Sequence, residues 1–130
     1  MREVLVDTSV WSEHFRKPQS PLTDMLANGL VVSHELIIAE LALSMSAKHL
    51  NILNDIAGLG LLPTATLEEY LHFVTHFQIA GKRIGCVDTH LLVSCKLAEA
   101  ALWTLDKSLT TAAHESHIEV LRIEASDCYC

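Results

Sequence analysis

The sequence predicts an α/β domain, with a central parallel sheet covered by helices on both sides. Three observations carry this. Short contiguous apolar runs, such as Val4-Leu5-Val6 and Leu30-Val31-Val32, read as strands buried on both faces. Segments with helix start and stop signals separate these runs, so strands and helices alternate along the chain. Acids follow apolar runs directly, at Asp7 and Asp106. Ligands of open parallel sheets bind at those strand ends.

Residues 3–7 are expected to form the first strand, and a helix starting at Thr8 or Ser9 runs through Phe15 until Pro18 stops it. Ser20-Pro21 reads as a capping hydroxyl followed by a first-turn proline. That helix ends near Asn28-Gly29, and Leu30, Val31 and Val32 form a second strand. Ser33 is expected to cap the next helix, with Leu36, Glu40 and Leu43 on one face. A further helix runs from about Ala47 to Ile56, broken by Gly58 and Gly60. Leu61-Leu62 reads as a short strand before Pro63. Thr66 and Glu69 have the spacing of a capping box, opening a helix to Ala80. After the loop Gly81-Lys82-Arg83-Ile84-Gly85, a helix starts at Val87 or Asp88 and ends near Ala100. Leu102-Trp103-Thr104 is a strand, and Asp106 or Lys107 starts a short helix. Ile118 to Leu121 is the candidate last strand.

At 130 residues, 50% hydrophobic and 19% charged, the chain has the composition of one compact domain, spanning 1–130. No apolar run reaches the roughly 18 residues of a membrane span. The start, Met1-Arg2-Glu3 before a strand pattern, does not read as a signal peptide, so a cytoplasmic location is expected. Cys86 and Cys95 read as small core residues; with Cys128 and Cys130 they make no zinc pattern. The tail Cys128-Tyr129-Cys130 carries no motif. Net charge is −7, which argues against broad binding of nucleic acid. Arg16, Lys17, Lys82, Arg83 and Lys107 are candidates for a locally basic rim that holds one short RNA, and each also reads as ordinary solvated surface.

The chemistry is carried by Asp7, Glu40, Asp88 and Asp106, which sit against apolar segments. Buried acids are costly unless partnered. With 9 Lys and Arg against 16 Asp and Glu, basic partners are scarce. Mg²⁺ or Mn²⁺ is the partner that clustered oxygen donors favour, and a carboxylate–metal group facing a phosphodiester reads as a nuclease. The histidines make no H-E-x-x-H, although His72 and His76 share helical spacing. His90, near Asp88, reads as an RNA contact or, more simply, as surface. Trp11 and Trp103 read as core; Leu50, Leu53, Leu71, Phe73 and Phe77 are candidates for apolar surface beyond what a small monomer buries.

Four segments together resemble the PIN domain, and specifically the small VapC-type toxin ribonucleases of prokaryotic toxin–antitoxin modules. They are Leu5-Val6-Asp7-Thr8-Ser9-Val10-Trp11, Ile38-Ala39-Glu40-Leu41, Gly85-Cys86-Val87-Asp88-Thr89-His90-Leu91-Leu92 and Leu102-Trp103-Thr104-Leu105-Asp106-Lys107. The resemblance spans essentially the whole chain. It implies a three-layer α/β/α fold and a metal-dependent endoribonuclease whose four acidic positions match Asp7, Glu40, Asp88 and Asp106. Thr8 or Ser9 matches a supporting hydroxyl near the first aspartate, and Thr104 another near the last. It also implies a small VapB-like antitoxin that masks the site, and a homodimer. His90 departs from the family, which often carries a small or apolar residue there. Water attack on phosphorus, leaving 5′-phosphate and 3′-hydroxyl ends, is the expected chemistry. The alternatives are an inactive PIN-like module that binds RNA or protein, a D-x-D phosphatase, against which Ser9 argues, and a flap nuclease, against which length argues.

Overall fold

The computed structural model describes residues 2–46 and 49–123. The helix start expected at Ala47 and the Cys128-Tyr129-Cys130 tail fall outside the described residues. Strand β1 (Val4–Val6) is central, between β2 (Val31–Val32) and β3 (Ala101–Trp103). All pairing is parallel: Val4 registers with Val31 on one side and Ala101 on the other. Single parallel bridges, Ser33 to Leu61 and Leu102 to Val120, extend the sheet at each edge. The expected strands at Leu61-Leu62 and 118–121 therefore reduce to one bridge each. Every residue of β1, β2 and β3 is buried, as contiguous apolar strands of a parallel sheet require.

The order β2-β1-β3 means that the chain leaves β1 to one side and later returns on the other. That reversal makes a switch point at the C-terminal ends of β1 and β3, the edge at which open parallel sheets bind ligands.

Seven helices flank this sheet among the described residues: α1 (Thr8–Arg16), α2 (Ser20–Ala27), α3 (Glu35–Ser44), α4 (Leu50–Ala57), α5 (Leu67–His76), α6 (Cys86–Ala98) and α7 (Lys107–Glu115). Helix α1 packs on α3, α3 on α4, and α5 on α6. None of them is long and apolar enough to cross a membrane. Trp11 and Trp103 are core residues, as expected. Cys95 is too, and burial pushes its thiol up to about 12.

Several local expectations shift. The helix α2 cap is Gln19, with Ser20 already inside the helix. Ser33 stays extended to bridge Leu61, so the cap of α3 passes to His34. The buried face of α3 is Ile37 and Leu41, not Leu36 and Leu43; Leu43 is 91% exposed. Helix α5 stops at His76, because Gln78 takes a left-handed φ of 55°. Cys86 is exposed. Leu53 and Phe73 are buried, while Leu50 and Leu71 stay exposed.

The capping box is present: Glu69 N–H donates to Thr66 Oγ1 at 3.1 Å and Thr66 N–H to Glu69 Oε1 at 2.8 Å. Thr66→Ala should therefore cost about 1 kcal/mol. The check is urea unfolding, with a lower midpoint at unchanged slope.

Candidate active site

Strand β1 delivers Asp7 to this switch point, and β3 delivers Thr104 and Asp106 beside it. Asp7 is the N-cap residue of α1, yet its carboxylate caps nothing. It is buried, and its Oδ2 instead accepts two hydroxyls, Ser9 Oγ at 2.7 Å and Thr104 Oγ1 at 2.8 Å. Each hydroxyl also accepts a backbone amide: Leu105 N–H reaches Ser9 Oγ at 3.0 Å, and Asp106 N–H reaches Thr104 Oγ1 at 3.0 Å. Both hydroxyl protons are thus committed to Asp7. Ser9 and Thr104, 3.4 Å apart, form a clamp that joins the start of α1 to the turn after β3.

Glu40, on α3, is held from the other side. Thr8 Oγ1 donates to its Oε1 at 2.8 Å. The hydroxyls expected to support the acids do contact them, but with changed partners: Ser9 serves Asp7 as expected, Thr8 serves Glu40, and Thr104, expected beside Asp106, serves Asp7 and meets Asp106 only at its backbone amide. Asp106 caps α7, its Oδ1 accepting Leu109 N–H at 3.1 Å, and its side chain is exposed.

Asp88, in the first turn of α6, is half-buried. Its carboxyl is pushed up to about 6, first by burial and then by the charges of Asp7, Asp106 and Glu40. All four predicted acids are thus close enough for Asp88 to register the other three. Among the described residues, none of the four joins an ion pair; the pairs there are Arg2–Glu119, Arg16–Glu13 and Lys82–Glu115. What favours anions here is backbone. The N-termini of α1, α6 and α7 carry or adjoin Asp7, Asp88 and Asp106, and helix N-termini stabilise negative charge.

The donor set suits a hard divalent cation: carboxylate oxygens, no thiolate or imidazole, and like charges that a cation would neutralise. Yet among the described residues no three His, Cys, Asp or Glu side chains close into a ready metal-binding group. The charges of the other three acids reach Asp88, but the described residues form no finished chelate.

The basic candidates separate. Lys82 is engaged by Glu115 and Arg16 by Glu13. Arg16 ends the helix that Thr8 begins, about 12 Å along its axis. Arg83 and Lys107 are exposed and outside the ion pairs of the described residues, and Lys107 directly follows Asp106. His90 is only partly exposed; its ring lies 4.4 Å from that of Tyr70 and its Nδ1 is buried without a hydrogen bond. His72 and His76 stack at 5.9 Å on α5, in an apolar groove of about 530 Å³ against α6 that contains none of the four acids. The sequence reading missed His34, which is fully buried and bonded to Ser94. A polar residue just after β2 was the available signal.

No family model matches the chain. Ribonuclease VapC32 of Mycobacterium tuberculosis, in strains CDC 1551 / Oshkosh and ATCC 25618 / H37Rv, is 39% identical over 116 residues, covering 88% of this chain and 94% of the relative. Among solved structures, FitAcB from Neisseria gonorrhoeae superposes with a TM-score of 0.68 at 22% identity, covering 92% of this chain and 97% of that one. FitAB bound to an IR36 DNA fragment gives 0.66 at 21% identity, covering 93% and 97%. The shared fold, and a relative that spans nearly the whole chain, lead to one assignment: the chain belongs to the PIN-domain, VapC-like toxin family of toxin–antitoxin modules.

Proposed function

We propose that this protein is a Mg²⁺- or Mn²⁺-dependent endoribonuclease, the toxin of its module, with Asp7, Glu40, Asp88 and Asp106 as the catalytic and metal-holding residues. The observation that carries the reading is the placement of Asp7 and Asp106 at the C-terminal ends of adjacent parallel strands, with hydroxyls holding Asp7 and Glu40, in a chain 39% identical to a VapC ribonuclease. A bound divalent cation supplies neutralisation of the phosphate and acidification of an attacking water. The protein supplies position. Two hydroxyls occupy Asp7 Oδ2, which leaves Oδ1 as the oxygen for a cation. Thr8 steers Glu40, whose second oxygen is the candidate to ligate or to orient water. Asp88 contributes in its ionised form, which its raised pKa of about 6 makes less favoured than an ordinary carboxylate's. Three helix N-termini at this edge favour an incoming phosphate. Chain shape and single-strandedness then select RNA.

The three-layer arrangement of the PIN fold, as one domain over 1–130, is supported by the parallel order β2-β1-β3 and the likeness to FitAcB. A VapB-like antitoxin masking the acids is supported by the family, and the likeness to FitAB bound to a DNA fragment is in keeping with a partner that contacts DNA. Exposed Leu67, Leu71 and Leu97, on α5 and α6, offer apolar surface for that partner or for a second copy in a homodimer. The setting proposed is the cytoplasm, where the RNA is. A second reading, a PIN-like module without turnover, is favoured by the lack of a closed three-ligand group among the described residues.

Incubating purified protein with structured RNAs, with Mg²⁺, with Mn²⁺ and with chelator, separates the two. Metal-dependent cuts support the nuclease; intact RNA under every condition supports the module. Arg83 and Lys107 are the candidate phosphate contacts, with Lys82 and Arg16 reserved by glutamates. Arg83→Ala and Lys107→Ala should each weaken RNA binding and flatten its log–log salt dependence by about one unit. An unchanged slope in both would place the RNA elsewhere.

A further inference from the structure

His34 and Ser94 form a buried polar contact outside the acidic centre. Both side chains are within 1% of complete burial. Ser94 Oγ–H donates to the carbonyl of Pro63 at 2.8 Å, which uses its one proton. The 3.0 Å contact between Ser94 Oγ and His34 Nε2 must therefore be donated by the imidazole. On the other side of the ring, Nδ1 accepts Leu36 N–H at 3.1 Å and caps α3. Both nitrogens are thus assigned, and the ring is the neutral Nε2–H tautomer. Burial holds it below its ordinary pKa; Glu35 pulls the other way and His90 adds to the lowering. A second proton would set Nδ1–H against Leu36 N–H and break the cap.

The position of this contact gives it a consequence. Glu40 lies six residues beyond His34 on α3, and Asp88 six residues before Ser94 on α6. Each acid is about 9 Å along its helix from the contact. The charge of Glu40 reaches Asp88, and the His34–Ser94 hydrogen bond ties the start of α3 to the middle of α6 at the same axial distance from each acid. Loss of the contact frees α3 to slide or turn against α6, and misplaces one acid relative to the other. Thr8 then holds Glu40 at one oxygen only.

We propose that His34, through Ser94, is a positioning residue that sets the axial register of Glu40 against Asp88 and so tunes the divalent-cation affinity of the acidic centre. This rests on the reading of that centre given above. Partners that orient metal ligands are worth about 10–100-fold in affinity.

The test is Mn²⁺ binding to the purified full chain, followed by the resonance of free Mn²⁺, beside thermal unfolding of each variant. His34→Asn keeps an acceptor near Leu36 N–H but is too short for Ser94; Ser94→Ala keeps the cap and removes the link. Each is expected to weaken Mn²⁺ binding at least tenfold in folded protein, and the double variant no further than the weaker single. Asp7→Asn serves as the control for the centre itself. A lower melting temperature with wild-type Mn²⁺ affinity in either variant would show a merely structural contact and overturn the proposal. So would a double variant whose loss is the product of the two singles. Should His34→Asn not fold, Ser94→Ala decides. Loss of Mn²⁺ in Asp7→Asn alone confines the failure to His34; wild-type binding in Asp7→Asn overturns the acidic centre and this proposal with it.

Discussion

Asp7→Asn is expected to lower RNA cleavage by about 10³-fold while leaving the fold intact. The magnitude follows from charge stabilisation of several kcal/mol by a metal, at about 1.4 kcal/mol per tenfold in rate. The fold survives because the clamp has two hydroxyl donors on one oxygen, Oδ2. An asparagine carbonyl can accept both. Its amide NH₂ then stands where the second carboxylate oxygen stood, presenting a donor to a site that wants an acceptor. The measurement is cleavage of total RNA at fixed Mg²⁺, beside circular dichroism of both proteins. Wild-type rates in folded Asp7→Asn would remove Asp7 from the mechanism. In cells, expression of the wild-type chain alone should slow growth, and the variant should not.

The second large effect is a pH dependence set by Asp88. Its carboxyl lies at about 6 against an ordinary 3.8. A cation needs the ionised form, so below about pH 6 apparent Mn²⁺ affinity should fall about tenfold per pH unit, one proton being displaced per ion bound. Stability of the metal-free protein runs the other way. The folded state holds this proton more tightly than the unfolded chain, so the contribution is full below pH 3.8 and lost as pH rises through about 6. Asp88→Asn should accordingly stabilise metal-free protein at neutral pH and remove that part of the pH dependence. Calorimetric Mn²⁺ titrations between pH 5 and 7, at constant ionic strength, would expose the error if affinity proved flat. Burial leads the causes of the shift and the three neighbouring acids follow, so Asp7→Asn should lower the Asp88 midpoint only in part.

The places of the acids in the fold were legible in the sequence, three of them because they stand at element boundaries that the apolar pattern marks. Asp7 and Asp106 follow strands, Asp88 opens a helix, and Glu40 rides beside an apolar stripe. The stripe itself was read one position off, since Leu36 and Leu43 are as apolar as Ile37 and Leu41, and only packing separates them. The division of hydroxyls was not legible. Thr8 and Ser9 are neighbours, but the start of a helix turns successive side chains by about 100°, so one reaches Glu40 and the other Asp7. His34 was out of reach for a different reason. Local pattern points to Ser33 as the cap, whereas the partner that makes His34 useful is Ser94, 60 positions away. The edge strands were overcalled because Leu61 and Val120 have apolar neighbours but pair through one bridge each.

The central strand also bears on when the acidic centre can assemble during synthesis. Val4, Leu5 and Val6 emerge first during synthesis, yet one of their two neighbours is β3, at residues 101–103. The bond from Thr104 to Asp7 spans 97 positions. A contact so far apart in sequence carries a large loop-closure cost and forms late. Until the chain has passed Asp106, Asp7 lacks half of its clamp and β1 lacks one flank. The acidic centre therefore cannot assemble on the nascent chain until β3 and the turn after it have been made.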